Sequence, residues 1–392
     1  MDWQYVESPD QGELQKNPTL LTAAMLERAN FTIATDDKAN EDDATWLYVS
    51  GKDEQGRDVV VDRYGNTGSE SKPYLIGTAQ QLVSFAYEVK SGRTFEGQYV
   101  VLDTDLVLQP ELFASAEDQV NWCGVGDEGH VFEGYFLGGG RTIRNLKGSP
   151  FFYALGAHAV VERLTFSDVI EVDGRGIVTN ENRALIAAVY ANGTIRQGKP
   201  ANKEIYSGSL VGTNHADGGL ISCAHVGNVE AWAIGAGAIG GLVGNNQGAL
   251  VSCYHSGKEK NLAEDGYHTY AGVGEYDREN SYAFSCYFNA DADPDKTDYS
   301  VLEDGRLCYP LGVTVMQSVK FVESGSPLID YTGEQWWMNH LSLNLAVKTF
   351  CEHVKTGDIP ASMRNDSHAD WIKRNQDSYL YTYSPGAFPQ VR

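Results

Sequence analysis

The sequence predicts an all-β protein: a right-handed parallel β-helix, or solenoid, with an N-terminal capping helix and a C-terminal α+β extension. The main observation is a repeated segment, which reads GSLVGTNHADGGLISCAHVG in residues 208–227 and GGLVGNNQGALVSCYHSG in residues 240–257. A third, diverged copy follows as AGVGEYDRENSYAFSCYFN. Each copy holds two short apolar strands around a turn, and units of this kind stack as coils. Parallel crossovers are almost always right-handed.

Glycine content agrees with this prediction. The chain has 42 glycines in 392 residues, which is about 11% against an average of about 7%. A turn at every corner of a coil requires many glycines. The second copy opens with the structural repeat residues Gly241, Leu242, Val243, Gly244 and Asn245. We expect Asn214 and Asn245 at corners in the left-handed region, which asparagine tolerates.

The repeat also places three cysteines at one position, Cys223, Cys253 and Cys286. They are predicted to form a column of small, buried, unreactive thiols. The alternative is a disulfide between neighbouring coils, whose torsion would be strained because in-register side chains point the same way. Three further cysteines are placed outside the column and cannot be paired from the sequence: Cys123, Cys308 and Cys351.

Fainter coils upstream extend the predicted stack. Segments 132–146, 151–170 and 184–198 repeat the rhythm of an apolar strand, a turn and a second apolar strand. We therefore expect five residues at equivalent positions on strands about 4.8 Å apart, namely Ile143, Val161, Ile195, Ile221 and Val251. Ile221 and Val251 are predicted to stack directly.

Three regions are predicted along the chain. Residues 1–72 form an acidic extension with a short helix at 20–29 and a strand pair at 45–65. Residues 73–290 form the β-helix, and its end is closed by a helix that begins after Thr78 and stops at Gly92. Residues 291–392 pack back on the solenoid, with a helix in the second half of 336–357 that ends at a glycine.

The repeat resembles a known motif. GGLVGNNQGALVSCYHSG is similar to the GLUG motif of bacterial surface proteins and adhesin-like chains. Residues 73–108 resemble the segment that precedes such β-helices in secreted Bacteroides-type proteins, through Leu82, Gly92, Phe95, Gly97, Leu102, Asp103, Asp105 and Leu106. The resemblance implies a pectin-lyase-like right-handed β-helix and a cell-surface or adhesive role. It covers residues 73–290 and is specific for architecture rather than for function.

Charge and hydropathy exclude two classes of protein. The formal net charge is −23, from 53 acidic and 30 basic side chains, and nucleic-acid binding needs clustered Lys and Arg. No apolar run approaches the ~20 residues of a transmembrane helix. The first residues lack the basic start and apolar middle of a signal peptide. We expect an extracellular or cell-surface protein whose signal or lipoprotein sequence is absent from this chain.

The candidate binding residues are aromatic. Aromatic faces stack on sugar rings and anchor protein interfaces, and the residues with this potential are Trp336, Trp337, Tyr379, Tyr381 and Tyr383. The alternative is that they cover the wall of the solenoid. An acidic loop offers a candidate calcium site through Asn289, Asp291, Asp293 and Asp295, although it lacks the glycine and the glutamate of an EF-hand. Its alternative is a solvated turn, so the sequence assigns no cofactor beyond this candidate calcium ion.

No catalytic constellation is evident. The sequence holds no HExxH, GxSxG or phosphate-binding glycine loop. His215 and His255 lie at different offsets from the repeat cysteines and are not expected to stack. We therefore expect a non-catalytic adhesin or scaffold that binds a host or bacterial surface glycan or protein. Two alternatives stay open, a structural component of a surface appendage and a β-helix polysaccharide lyase or hydrolase.

Overall fold

A computed structural model gives the architecture. It describes residues 47–52, 58–62, 66–108, 121–169, 171–172, 174–197, 205–232, 237–263, 269–277, 281–292, 308–328, 339–358 and 366–391. The predicted helix at 20–29 lies outside these residues. No helix within them is long and apolar enough to cross a membrane.

Within the described residues the chain is mostly short strands. In chain order they are β1 (Leu47–Lys52), β2 (Asp58–Asp62), β3 (Tyr74–Ile76), β4 (Tyr99–Leu102), β5 (Leu106–Val107), β6 (Tyr135–Arg144), β7 (Lys147–Gly148), β8 (Phe152–Leu155), β9 (Val160–Ser167), β10 (Glu171–Val172), β11 (Thr179–Asn182), β12 (Leu185–Asn192), β13 (Ile195–Arg196), β14 (Ser207–Gly208), β15 (Val211–Asn214), β16 (Gly219–Ile221), β17 (Ala224–Val226), β18 (Val229–Ala231), β19 (Ile239–Gly240), β20 (Val243–Asn246), β21 (Ala249–Val251), β22 (Tyr254–Ser256), β23 (Glu259–Asn261), β24 (Thr269–Tyr270), β25 (Val273–Tyr276), β26 (Tyr282–Phe284), β27 (Tyr287–Asn289), β28 (Tyr309–Leu311), β29 (Tyr381–Thr382) and β30 (Gln390–Val391).

The helices lie near the two ends of the described chain. They are α1 (Ala79–Lys90), α2 (Val313–Met316), α3 (Val319–Glu323), α4 (Leu343–Thr356) and α5 (Asp366–Asn375), with a 3-10 turn at Gln376–Tyr379. The all-β class predicted from the sequence is confirmed, since helices are few and the strands form mainly parallel sheets.

The strands pair parallel in four principal sheets. The largest runs in the order β28-β27-β22-β17-β12-β9-β6-β4-β3, with β5, β16, β21 and β26 beside that path. A five-stranded sheet has the order β25-β20-β15-β11-β8, and two three-stranded sheets have the orders β13-β18-β23 and β14-β19-β24. Successive repeats therefore visit the same sheets in the same order. We call the strands contributed by one repeat a rung.

The register of the rungs follows the repeat. Ile221 and Val251 are Cα partners in the β16–β21 pair, as predicted. The wider alignment is wrong. Val161 pairs with Ile186 in the largest sheet, whereas Ile195 lies in a three-stranded sheet and pairs with Val229. Apolar strands of similar composition occupy different sheets, so composition alone misassigned them.

Five successive rungs bend at an equivalent non-glycine residue in the left-handed region. The equivalent positions carry φ values between 51° and 54° in Arg163, Ala188, Ser222, Ser252 and Ser285. The repeated Ser-Cys pair thus places serine at a bend and turns the following cysteine into the core, where Cys253 is fully buried. The sequence predicted corners in the left-handed region at Asn214 and Asn245, and that prediction is wrong, because the bends lie at these other positions. Asn214 and Asn245 lie inside β15 and β20.

Asn214 instead belongs to a buried asparagine ladder formed by Asn182, Asn214 and Asn246. The Nδ2 of Asn182 donates to Oδ1 of Asn214 at 2.8 Å, and the Nδ2 of Asn214 donates to Oδ1 of Asn246 at 2.7 Å. The ladder ends where the Nδ2 of Asn246 donates to the carbonyl oxygen of Gly248. These bonds hold three rungs in register because a one-residue slip would leave buried amides without partners.

The N-terminal elements confirm the sequence prediction. β1 and β2 pair antiparallel. The side chain of Thr78 accepts from the backbone N–H of Gln81, and the Gln81 side chain returns to the N-cap in a capping box. The inward face of α1 is fully buried through Leu82, Phe85, Ala86 and Val89. Gly92 follows with a φ of 97°.

The C-terminal segment covers the outer face of the largest sheet. The Oγ of Ser252 donates to the carbonyl of Leu343 at 2.9 Å, and the Oγ of Ser285 donates to the carbonyl of Asn339 at 3.2 Å. The predicted helix of this region is α4, which ends at Gly357 with a φ of 73°. β28 pairs with β27, so the parallel sheet continues past residue 290 as far as Leu311.

Candidate functional site

A row of polar side chains runs across the five-stranded sheet. Glu181, Thr213, Asn245 and Glu275 are Cα partners on β11, β15, β20 and β25. We call these four residues the polar row. Neighbouring strands in a sheet lie about 4.8 Å apart, so the row presents hydrogen-bonding groups at regular intervals. Glu275 is exposed, Glu181 and Asn245 are half-buried, and Thr213 is the most covered of the four.

Glycines of the repeat bring another sheet tightly against this one. A Cβ added to Gly212 would lie 3.3 Å from the carbonyl oxygen of Tyr206, just before β14. One added to Gly244 would overlap the backbone of Tyr206 and Ser207, and one added to Gly274 would come 3.0 Å from the Cβ of Ala238. The Gly-x-Leu-Val-Gly spacing of the repeat therefore lets the backbone next to β14 and β19 lie close to the backbone of the five-stranded sheet, beside the polar row.

Glu181 is the centre of a small ionic cluster. One of its carboxylate oxygens pairs with the guanidinium of Arg175, and the other lies 2.7 Å from Nε2 of His215. Burial acts to raise the pKa of Glu181, but the hydrogen bond with His215 and the charge of Arg175 outweigh it and hold the pKa below its usual value.

A second polar group lies inside the core. His225 and His255 stack with ring centroids 5.1 Å apart and an interplanar angle of 12°. Nε2 of His255 lies 2.9 Å from Oε1 of Glu259, and both side chains are completely buried. We call these three residues the core histidine chain. Gly241 makes room for it, since a Cβ there would overlap the His255 ring.

Sequence reasoning missed the core histidine chain because it compared His255 with His215. A usable signal was present: His225 and His255 each follow a repeat cysteine by two residues, as Cys-Ala-His and Cys-Tyr-His. Glu259 carried no signal, because Ile195 and Val229 occupy the same column.

The predicted cysteine column is present and is one residue longer than expected. The backbone N–H of Cys223 lies 3.4 Å from Sγ of Cys253, and that of Cys253 lies 3.5 Å from Sγ of Cys286. The expectation that Cys308 lies outside is wrong, since β28 places it after Cys286 and it is buried. Cys-Tyr at 253, 286 and 308 was the available signal. All four thiols are free, and burial raises the pKa of Cys223 and Cys286 well above the usual value.

Two of the predicted aromatic binding residues are covered by the protein itself. Tyr379 and Tyr381 are buried, and their hydroxyls donate to Glu162 at 3.3 Å and to the carbonyl of Ser252 at 2.8 Å. Their assignment as ligand-binding residues is therefore corrected: both anchor the C-terminal segment to the largest sheet. Tyr383 is half-buried. Trp336 and Trp337 lie outside the described residues.

The acidic loop is described only in part. Oδ1 of Asn289 accepts from the backbone N–H of Asp291, and Oδ2 of Asp291 accepts from the N–H of Val313 at 2.7 Å. Asp291 thus satisfies an amide at the start of α2. Asp293 and Asp295 lie outside the described residues, so the calcium site stays a prediction. Within the described residues, no three His, Cys, Asp or Glu side chains are grouped as metal ligands.

No family model, no curated protein and no solved structure matches this chain.

Proposed function

We propose that the chain is a non-catalytic, adhesin-like binding protein of the cell surface, built on a right-handed parallel β-helix. Support for the helix comes from the repeats, which visit the same parallel sheets in the same order. Support for a surface role comes from the GLUG-like repeat. The ligand we favour is a surface glycan, with a protein as the alternative.

The observation that carries the proposal is the polar row. Its carboxylate, hydroxyl and amide groups recur at the strand spacing and face away from the core. A sugar chain offers hydroxyls at regular intervals, and such groups bind best to a few fixed polar partners on a rigid sheet. Tyr270 lies beside Glu275, where burial and the Glu275 charge raise its pKa. Its ring provides a surface on which a sugar can stack.

The experiment is a glycan array with the purified protein, run with and without calcium. Wild type should bind a defined glycan class, and Asn245→Ala should weaken that binding at least about tenfold, the equivalent of about 1.4 kcal/mol. Lys260→Ala is the matched control, because Lys260 is exposed in the Arg196–Glu230–Lys260 column of a different sheet. Binding that is equally strong in wild type and Asn245→Ala would exclude the polar row as the site. Dependence on calcium would favour the acidic loop.

A specific observation favours one other function, a β-helix polysaccharide lyase or hydrolase. The cluster of Glu181, His215 and Arg175 brings a carboxylate, an imidazole and a guanidinium to one place on two neighbouring rungs. Acid–base catalysis needs titratable groups that converge in this way. Release of unsaturated or reducing sugar ends, abolished by His215→Ala, would establish the enzyme. Glycan binding without such products supports the adhesin.

A further inference from the structure

The core histidine chain is a continuous line of contacts across two rungs. Nε2 of His225 lies 3.0 Å from the carbonyl oxygen of Gly193. Nδ1 of His225 lies 3.1 Å from Nδ1 of His255, and Nε2 of His255 lies 2.9 Å from Oε1 of Glu259. The line therefore begins at a backbone carbonyl of the preceding rung and ends at a carboxylate.

These contacts determine where the protons lie. A carbonyl oxygen only accepts, so Nε2 of His225 carries a proton and donates to Gly193. In the neutral ring, Nδ1 of His225 is then an acceptor, and Nδ1 of His255 must donate to it. The other nitrogen of His255 faces a carboxylate. Two lone pairs 2.9 Å apart would repel each other, so one proton lies in that last contact, on Nε2 of His255 or on Oε1 of Glu259.

We propose that the core histidine chain is a pH-sensitive lock between neighbouring rungs. The lock is closed when it holds three protons, on Nε2 of His225, on Nδ1 of His255 and between His255 and Glu259. One more proton opens it. An additional proton on His225 would sit on Nδ1, where it would face the N–H of His255. Two donors would then point at each other 3.1 Å apart. The rungs that carry β17, β22 and β23 would separate locally to let water reach the charge.

Among the described residues, the groups beside His225 are poor acceptors for an additional proton. In the same inward column the residue before His225 is Ala191 and the residue after His255 is Phe288, both buried. The titratable groups nearest along the strands are the thiols of Cys223 and Cys253, whose sulfurs contact backbone carbonyls. Glu259, from β23, is the charged partner and already shares a proton with His255.

The direction of the pH effect follows from the burial of His225. Burial, together with the neighbouring His255, lowers the pKa of His225 well below its usual value, whereas the unfolded chain has a histidine pKa of about 6.5. Below a pH of about 6.5 both histidine rings of the opened state are charged and together hold four protons, whereas the closed state holds three, so the opened state then binds more protons. Stability contributed by the lock is therefore greatest near a pH of about 6.5 and is lost as the pH falls below that value, by up to about tenfold in the opening equilibrium per pH unit.

The experiment is amide hydrogen exchange of the whole chain at pH 6.5 and 5.0, expressed as protection factors. Protection in residues 224–231 and 254–261 should fall about tenfold or more at the lower pH, and more than in β6 and β9. The variant carrying His225→Phe, His255→Phe and Glu259→Val should lose this pH dependence. Its side chains match Phe288 and Val229, which occupy the same two columns. If that variant keeps the wild-type loss of protection, the lock is excluded.

Two further measurements separate the lock from other causes. His340 and His368 are also buried, with pKa values lowered to about 4 by burial, so His340→Gln and His368→Gln serve as controls and should leave the loss in 224–231 unchanged. Nitrogen NMR of the wild type at pH 7 tests the protons directly, without any variant. A proton on Nε2 of His225 and one on Nδ1 of His255 support the proposal, and an unprotonated Nδ1 in His255 overturns it.

Discussion

The core is filled in two different ways along the stack. Near α1 the interior is made of aromatic rings, in which Phe85 contacts Phe132 and Phe136 at centroid distances of 5.5 and 5.6 Å. In the later rungs the core is mainly aliphatic and also holds columns of identical small or polar side chains, such as Asn182, Asn214 and Asn246. Ring packing depends on shape and volume, whereas a ladder depends on hydrogen bonds that exist in one register. The first half is therefore stabilised mainly by the fit of side-chain volumes, and the second half depends in addition on hydrogen bonds that require the rungs to be in register.

The largest effect is expected from removing a ring. Phe136 is fully buried and also contacts Phe151 and Phe152 at 5.4 Å. Phe136→Ala should lower the free energy of unfolding by about 4 kcal/mol, the range for large core deletions. Phe136→Leu should cost less than half of that, since volume is the main requirement here. Urea denaturation measures both, and equal losses would contradict a core that is held by volume.

The next effect concerns the close approach of rungs at their corners. A Cβ on Gly257 would overlap the carbonyl of Gly227, which is backbone and cannot move aside. Gly257→Ala should therefore cost about 3 kcal/mol, the upper part of the overpacking range. Gly325→Ala is the control, because nothing lies within 4 Å of its added Cβ. A neutral Gly257→Ala in thermal denaturation would show that the corners are loosely packed.

A smaller loss is expected from breaking the ladder. Asn214→Leu keeps a similar volume but leaves an N–H of Asn182 and the Oδ1 of Asn246 without their partner. The expected cost is about 2 kcal/mol, the scale for unsatisfied buried polar groups. Asn245→Leu, one residue from the ladder and facing outward, should change stability by less than about 0.5 kcal/mol. Similar values for the two would refute the idea that alignment is set by the ladder.

The comparison also shows what the sequence could predict. Repetition revealed the parallel pairing of Ile221 with Val251 and the burial of Cys223, because identical units place identical residues in one column. Local signals predicted α1 and the end of α4. Contacts across long sequence separations were not predictable. Tyr379 is buried because it reaches Glu162, 217 residues earlier, and no local pattern encodes that distance.

The same reasoning explains the missed site residues. Glu181 and His215 meet because β11 and β15 pair in register, yet residue 181 belongs to a coil without a recognisable Gly-x-Leu-Val-Gly motif. Asn245 was recognised as a repeat residue but was assigned to a corner rather than to the outward face. Successive side chains of a strand point to opposite faces of the sheet. The sequence analysis treated Asn214 and Asn245 as equivalent, whereas Asn214 pairs with Asn246, so it combined one residue of the buried ladder with one residue of the outward polar row.

The smallest loss of stability is expected in the cysteine column, which lies in the later rungs and has weaker hydrogen bonds than the asparagine ladder. Cys253→Ala removes one sulfur that accepts from Cys223 and should cost about 1 kcal/mol, the usual scale for a small core change. The native thiols should react slowly with a maleimide, because burial raises the pKa of Cys223 and Cys286 and disfavours their thiolates. Half-buried Cys123 is the internal reference and should react first. If Cys223 and Cys286 were labelled as fast as Cys123 in folded protein, the rungs would open readily, and alignment would contribute less to stability than the packed rings near α1.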